Sequence, residues 1–146
     1  MLTEQTPMKG ILLGDDLART KRWAAIGVGL FIVVSLFYLF DYNQPVYAVV
    51  PGRVFIYGSA AILILLSAWQ SSLNRSLLVS LLLCVAPVSA LFIQIIAEGQ
   101  GVSHPSPLGI LLFGLGWGIA FGAPLGIAGY LLGRTVQKWR SSDRAV

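Results

Sequence analysis

Residues Phe113–Gly133 read FGLGWGIAFGAPLGIAGYLLG, and this stretch decides how the chain folds. It contains seven glycines and no charged residue. A glycine inside a helix in water costs about 1 kcal/mol relative to alanine. The stretch is nevertheless as long as the ~20 apolar residues that a helix needs to cross a membrane. It therefore predicts a transmembrane helix whose glycines serve a purpose other than intrinsic helix stability.

Three further segments of the chain are also long, apolar and free of charged side chains. Charged residues make up 11% of the chain, against about 25% in soluble domains. The apolar runs do not alternate as the short strands of a membrane β-barrel do. We predict an all-α, polytopic integral membrane protein that forms one four-helix transmembrane bundle over residues 1–146. Its predicted parts are a short interfacial segment at 1–14, spans at about 17–40, 52–73, 76–97 and 107–133, and a basic tail at 134–146.

The basic residues are distributed unevenly around these spans. Only Arg53 falls in the first or third connection between spans. The other nine flank the opposite ends of the spans: Lys9, Arg19, Lys21, Arg22, Arg75, Arg134, Lys138, Arg140 and Arg144. Basic residues accumulate on the cytoplasmic side of membrane proteins. We therefore expect a multi-pass protein of the cell or inner membrane with both termini in the cytoplasm.

The same charges indicate which partners to expect. Basic residues at the membrane surface attract anionic lipid headgroups by about 1 kcal/mol each. Because these charges flank membrane spans and are few, we expect membrane lipids as partners and no nucleic acid. The acidic residues Glu4, Asp15 and Asp16 before the first span favour a retained helix over a cleaved signal peptide, and Asp15 or Asp16 is expected to cap that helix.

Most glycines of the fourth span share one face of the predicted helix. At 100° per residue, six of them fall within an arc of about 120°. They are Gly114, Gly118, Gly122, Gly126, Gly129 and Gly133, here called the glycine stripe, whereas Gly116 lies apart. Lipid provides no hydrophobic drive for helix association, so small residues that permit close backbone contact provide the attraction instead. The stripe is therefore predicted to be a helix-packing surface.

The sequence leaves the partner of this stripe open. Within the chain, the third span offers Ser76, Ser80 and Cys84 at intervals of four residues, and the first span offers Ala25 and Gly29. Alternatively, the stripe packs against another membrane protein or a second copy of this chain.

Two prolines near the middle of the spans suggest a different use of the bundle. Pro87 and Pro124 each remove a helix hydrogen bond and release the carbonyls of Leu83 and Ala120. Interrupted helices that meet at the midplane form binding sites in many transporters. Gln94 and Glu98 add a polar pair near one membrane surface, so these six residues are the candidates for a transport pathway.

Residues for catalysis are missing from the spans. Their apolar stretches contain no Asp, Glu, Lys, Arg or His, Cys84 is the single cysteine, and the single histidine, His104, lies in a connection. We therefore expect no catalytic residue, no metal site, no cofactor and no enzyme activity. The leading hypothesis is an accessory, assembly or scaffolding subunit that works through helix packing. The alternatives are a small oligomeric channel or transporter and a subunit that adds one wall to a quinone or haem site held by other chains.

Overall fold

A computed structural model describes residues 7–41, 43–99 and 106–142. Six helices make up almost all of this part of the chain, and no strand occurs in it. They are α1 (Pro7–Leu13), α2 (Leu17–Leu39), α3 (Asn43–Val49), α4 (Gly52–Asn74), α5 (Leu77–Ala97) and α6 (Pro107–Ser142). The all-α prediction is confirmed.

Four of these helices, α2, α4, α5 and α6, are long and apolar enough to cross a membrane. The predicted four-helix architecture is therefore confirmed by length and composition. The boundaries differ in two places. α6 continues nine residues beyond Gly133 to Ser142, because no glycine or proline interrupts the residues that follow. The first connection contains the short helix α3, which lies outside the predicted spans.

Local side-chain chemistry explains where the long helices begin and end. Asp16 caps α2 by accepting hydrogen bonds from the amides of Ala18 and Arg19 at 2.8 and 3.2 Å, which satisfies donors that have no partner within the helix. Ser76 caps α5 in the same way through the amide of Val79. Between α4 and α5, Arg75 adopts a left-handed conformation with φ of 51° and ends α4, so α4 and α5 form a tight hairpin.

α5 occupies the centre of the bundle. α6 and α2 both pack along it, and α4 packs mainly against α6. α2 and α4 approach each other near the hairpin, where the rings of Trp23 and Trp69 meet edge to face with centroids 6.1 Å apart. We call this the Asn74 end of the bundle and the opposite end, where α4 begins, the Arg53 end.

Candidate functional site

The first four members of the glycine stripe lie against the backbone of α5. A Cβ atom on Gly118 would lie 2.6 Å from the Cα of Ser89, and one on Gly122 would lie 2.6 Å from the Cα of Val85. Real Cβ atoms essentially never approach other atoms within 3.0 Å. A Cβ atom on Gly114 would lie 2.9 Å from the Cα of Ile93, and one on Gly126 would lie 2.9 Å from the Cα of Leu81. No larger residue fits at these positions without moving α5.

The last two members of the stripe pack against α4. A Cβ on Gly129 would lie 2.8 Å from the carbonyl oxygen of Ile64, and one on Gly133 would lie 2.8 Å from the Cβ of Ser71. A Cβ on Gly116 would meet no atom within 4 Å. The glycine stripe thus packs against two helices of the same chain, α5 and α4.

The sequence analysis named the wrong residues of the first span as possible partners. Ala25 is exposed, and a Cβ on Gly29 would meet no atom within 4 Å. α2 packs against α5 instead, through Gly27, whose Cβ position lies 3.0 Å from the Cγ of Leu82. Gly27 lies on the opposite side of α2 from Ala25 and Gly29, which is why the spacing of those two residues was misleading.

A line of buried polar side chains runs beside the stripe. We call it the polar seam, and it consists of Ser67, Gln70, Ser71, Ser80 and Cys84, all with no exposed surface. Ser67 and Ser71 on α4 donate to the carbonyl oxygens of Gly126 and Tyr130 on α6, at 3.3 and 2.9 Å. Hydrogen bonds between membrane helices contribute about 1 kcal/mol each. The seam therefore adds directional bonds to the close packing at the glycines.

Gln70 is the largest polar residue of the seam, and it is bonded on one side only. Its Oε1 atom accepts a hydrogen bond of 2.8 Å from Ser80 on α5. Its Nε2 atom is buried and has no hydrogen-bond partner in the structure, and the same holds for the hydroxyl of Ser89 beneath Gly118. Cys84 donates a weak bond of 3.6 Å to the carbonyl oxygen of Leu63.

Asn74, the last residue of α4, holds the beginning of the chain against the bundle. Its Oδ1 atom accepts from the amide of Asp16 at 2.9 Å, its Nδ2 donates to the hydroxyl of Thr20 at 2.7 Å, and its carbonyl accepts from the amide of Asp15 at 3.2 Å. Asn74 has no exposed surface. We call these contacts the Asn74 clasp.

Neighbouring bonds extend the clasp to the other helices. Ser76 donates to the carbonyl oxygen of Leu12 at 2.9 Å, which places α1 on the start of α5. Arg75 forms an ion pair of 3.6 Å with Asp15 and donates to Gln137 on α6 at 2.9 Å. The clasp and these bonds therefore connect α1, α2, α4, α5 and α6 at one end of the bundle.

The six residues considered for a transport pathway do not converge in the structure. Leu83 and Pro87 are buried in α5, whereas Ala120 and Pro124 are exposed on α6, away from the stripe by which that helix packs. Gln94 and Glu98 lie at the end of α5, where the amide of Glu98 donates to the carbonyl oxygen of Gln94.

Pro87 instead lines an apolar groove between α2 and α4. The groove has a volume of about 210 Å³ and extends from the middle of the bundle to the Arg53 end. Its floor is α5, and its walls include Val34 and Tyr38 of α2 and Phe55, Ser59 and Leu63 of α4. We call it the α2–α4 groove.

The sequence-based predictions included Ser80 and Cys84 of the polar seam but not its α4 residues or Asn74, although a signal for these was present. Ser67, Gln70, Ser71 and Asn74 follow a spacing of three and four residues within an otherwise apolar span. Such residues lie on one face of a helix, and polar side chains in a membrane helix usually face the protein interior.

His104, the single histidine of the chain, lies outside the described residues. Within residues 7–41, 43–99 and 106–142, no group of three histidine, cysteine or acidic side chains is placed to hold a metal ion. Comparison with known proteins gives no relative: no family model, no curated protein and no solved structure matches the chain.

Proposed function

We propose that this chain is a non-catalytic integral membrane protein that serves as an accessory, assembly or scaffolding subunit. The observation that carries the proposal is the position of α6. This helix buries its glycine stripe against α5 and α4 and leaves most of its other side chains exposed along the span. An exposed helix face in a membrane is available to a second protein. Two such faces associate when their shapes are complementary and small residues let the helices approach closely.

The exposed side of α6 has features that suit a protein partner. Opposite the stripe, Gly116 and Ala120 form a shallow notch that a neighbouring helix can approach closely. Beside this notch, Trp117 and Phe121 stack on Phe92 of α5, with ring centroids 5.5–6.1 Å apart. Stacked rings present a rigid contact area at low cost in conformational entropy. The partner surface that we propose is this exposed side, because the stripe already faces α5 and α4.

The charge distribution supports cytoplasmic termini and contact with anionic lipids. Arg19, Arg75, Arg134 and Lys138 all belong to the Asn74 end of the bundle. We propose that this end faces the cytoplasm, following the usual bias of basic residues. The continuation of α6 to Ser142 extends the helix by about 13 Å past Gly133 and would carry its basic residues into the headgroup region and beyond.

Native mass spectrometry of the protein purified in a mild detergent tests the accessory role. We expect the wild-type chain to carry a different membrane polypeptide in a fixed ratio. Gly116→Leu fills the notch and is expected to remove that polypeptide. Gly58→Leu is the matched control, since Gly58 on α4 also has no atom within 4 Å of its Cβ position, and it should retain the partner.

Two outcomes would contradict the proposal. A wild-type chain that is monomeric under all mild conditions has no partner to scaffold. A homo-oligomer that conducts ions or solutes after reconstitution would support the alternative of a small channel or transporter. In that case Pro124→Ala, which restores a bonding partner for the Ala120 carbonyl, should alter the flux.

A further inference from the structure

We propose that the α2–α4 groove binds a glycerophospholipid, with one acyl chain in the groove and the phosphate at the start of α4 beside Arg53. The proposal is independent of the accessory role, because it concerns a different face of the bundle. It rests on the shape of the groove, on its apolar lining and on the charge at its end.

The dimensions of the groove match one acyl chain. Along α4 the groove extends from Phe55 to Leu63, a rise of about 12 Å, which is close to the ~15 Å of one hydrocarbon leaflet. The groove has a volume of only about 210 Å³ along that length. A helix with its side chains is about 10 Å wide and cannot enter. A single hydrocarbon chain can.

The lining of the groove favours hydrocarbon over water. Its walls are almost entirely apolar, and the hydroxyl of Ser59 is already bonded to the carbonyl oxygen of Ile56 on its own helix at 3.0 Å. A water molecule needs two or more polar partners to occupy a cavity. Because α2 and α4 make close contact only toward the Asn74 end, the groove is open sideways to the surrounding lipid.

The start of α4 offers a positive charge and amide donors that suit a phosphate group. Arg53 is exposed, and its side chain forms no ion pair or hydrogen bond with any described residue. It lies two residues before Phe55, which forms the end of the groove. Pro51 precedes the helix and provides no side-chain cap, so the first amides of α4 are available to an anion. A Cβ on Gly52 would meet nothing within 4 Å, which leaves room for a headgroup.

Reconstitution and native mass spectrometry test this site. The protein is incorporated into vesicles of equimolar phosphatidylcholine and phosphatidylglycerol, transferred to a mild detergent, and analysed for retained phospholipid. Wild-type protein is expected to retain one phospholipid molecule. Ser59→Phe places a ring in the groove and should abolish retention, whereas Gly58→Phe, the neighbouring exposed position outside the groove, should not.

A second variant tests the headgroup contact without altering the groove. Arg53→Gln removes one charge at the surface and should reduce retention about five-fold, while Arg53→Lys should preserve most of it. Because Arg53 is exposed, its substitution should not affect folding, so the comparison of Arg53 variants remains valid even if Ser59→Phe does not fold. Thermal unfolding shows whether Ser59→Phe is folded.

The proposal is overturned by any of three results. The first is a wild-type protein without retained phospholipid. The second is equal retention in Ser59→Phe and Gly58→Phe, or in Arg53→Gln and wild type. The third is the discovery that the molecule displaced by Ser59→Phe is a polypeptide.

Discussion

The Cα atom of Ser89 on α5 lies 2.6 Å from the point that a Cβ atom on Gly118 of α6 would occupy. The two backbones are therefore in direct contact near the middle of the bundle, and a single methyl group is enough to separate them. Gly116, two residues away on the same helix, has no atom within 4 Å of the equivalent point. These two glycines form a matched pair for measuring what close packing contributes.

We expect Gly118→Ala to lower the free energy of unfolding by about 1–3 kcal/mol, the usual cost of overpacking. Gly116→Ala should be neutral or stabilising, because alanine favours the helix at an open position. Thermal unfolding of both variants in the same detergent provides the measurement. If the two variants are equally stable, the packing role of the stripe is wrong and its glycines matter only for helix flexibility.

The Asn74 clasp is testable at a single side chain. Asn74→Ala leaves the amide of Asp16 without its acceptor and the hydroxyl of Thr20 without its donor, so we expect a loss of about 1–3 kcal/mol in stability. Hydrogen exchange at the Asp16 amide should also become faster, because that amide loses its protecting bond. Ser72→Ala is the control, since the Ser72 hydroxyl bonds only to the carbonyl oxygen of Trp69 on its own helix. Unchanged exchange at Asp16 in Asn74→Ala would contradict the assignment.

The pair of Gln70 and Ser80 should show strong coupling between mutations. Ser80→Ala removes the one hydrogen bond that the Gln70 side chain makes with the described residues and leaves a buried amide unbonded, at a cost of about 1–3 kcal/mol. The double variant Gln70→Leu/Ser80→Ala replaces both polar groups by apolar ones, so we expect it to recover most of that loss. A double-mutant cycle of unfolding free energies measures the coupling. Simple additivity of the two single changes would show that the bond contributes nothing.

The orientation in the membrane is testable with single cysteines in a Cys84→Ser background. Val49 is 82% exposed near the Arg53 end and Trp139 is 73% exposed near the Asn74 end. We expect a membrane-impermeant thiol reagent to label Val49→Cys in intact cells and to label Trp139→Cys only after permeabilisation. Tyr47 and His104 are predicted to lie on the same side as Val49. Labelling of Trp139→Cys in intact cells would reverse the proposed topology.

The long helices could be predicted from the sequence because a membrane span depends on length and apolar composition, both of which are local properties. The sequence also placed six glycines on one face, since that requires only the helical repeat. The choice between Ala25, Gly29 and the α5 backbone as a neighbour depends on how helices are arranged in three dimensions, and spacing within one helix does not encode that arrangement. Gly27, rather than Gly29, contacts α5 for this reason.

The ends of the bundle were harder to predict than its spans. Asn74 looked like a turn residue because asparagine is common in turns, and its role depends on residues more than fifty positions earlier in the chain. The continuation of α6 to Ser142 was missed because a loss of hydropathy marks the edge of the hydrocarbon and not the end of a helix. The α2–α4 groove, likewise, results from the divergence of two helices and leaves no pattern in either one.

The glycine stripe of α6 packs against both α5 and α4, so neither of these helices is fully packed until α6 has been synthesised. α6 follows α4 and α5 along the chain and therefore leaves the ribosome after them. Before it arrives, the hydroxyls of Ser67 and Ser71 have no interhelical acceptor and can bond only to carbonyls of their own helix, while the backbone of α5 is open to lipid along one side. Insertion of α6 covers both surfaces in one step. Until α6 inserts, the newly made α4–α5 hairpin therefore exposes both surfaces to lipid and to any insertase or quality-control protease.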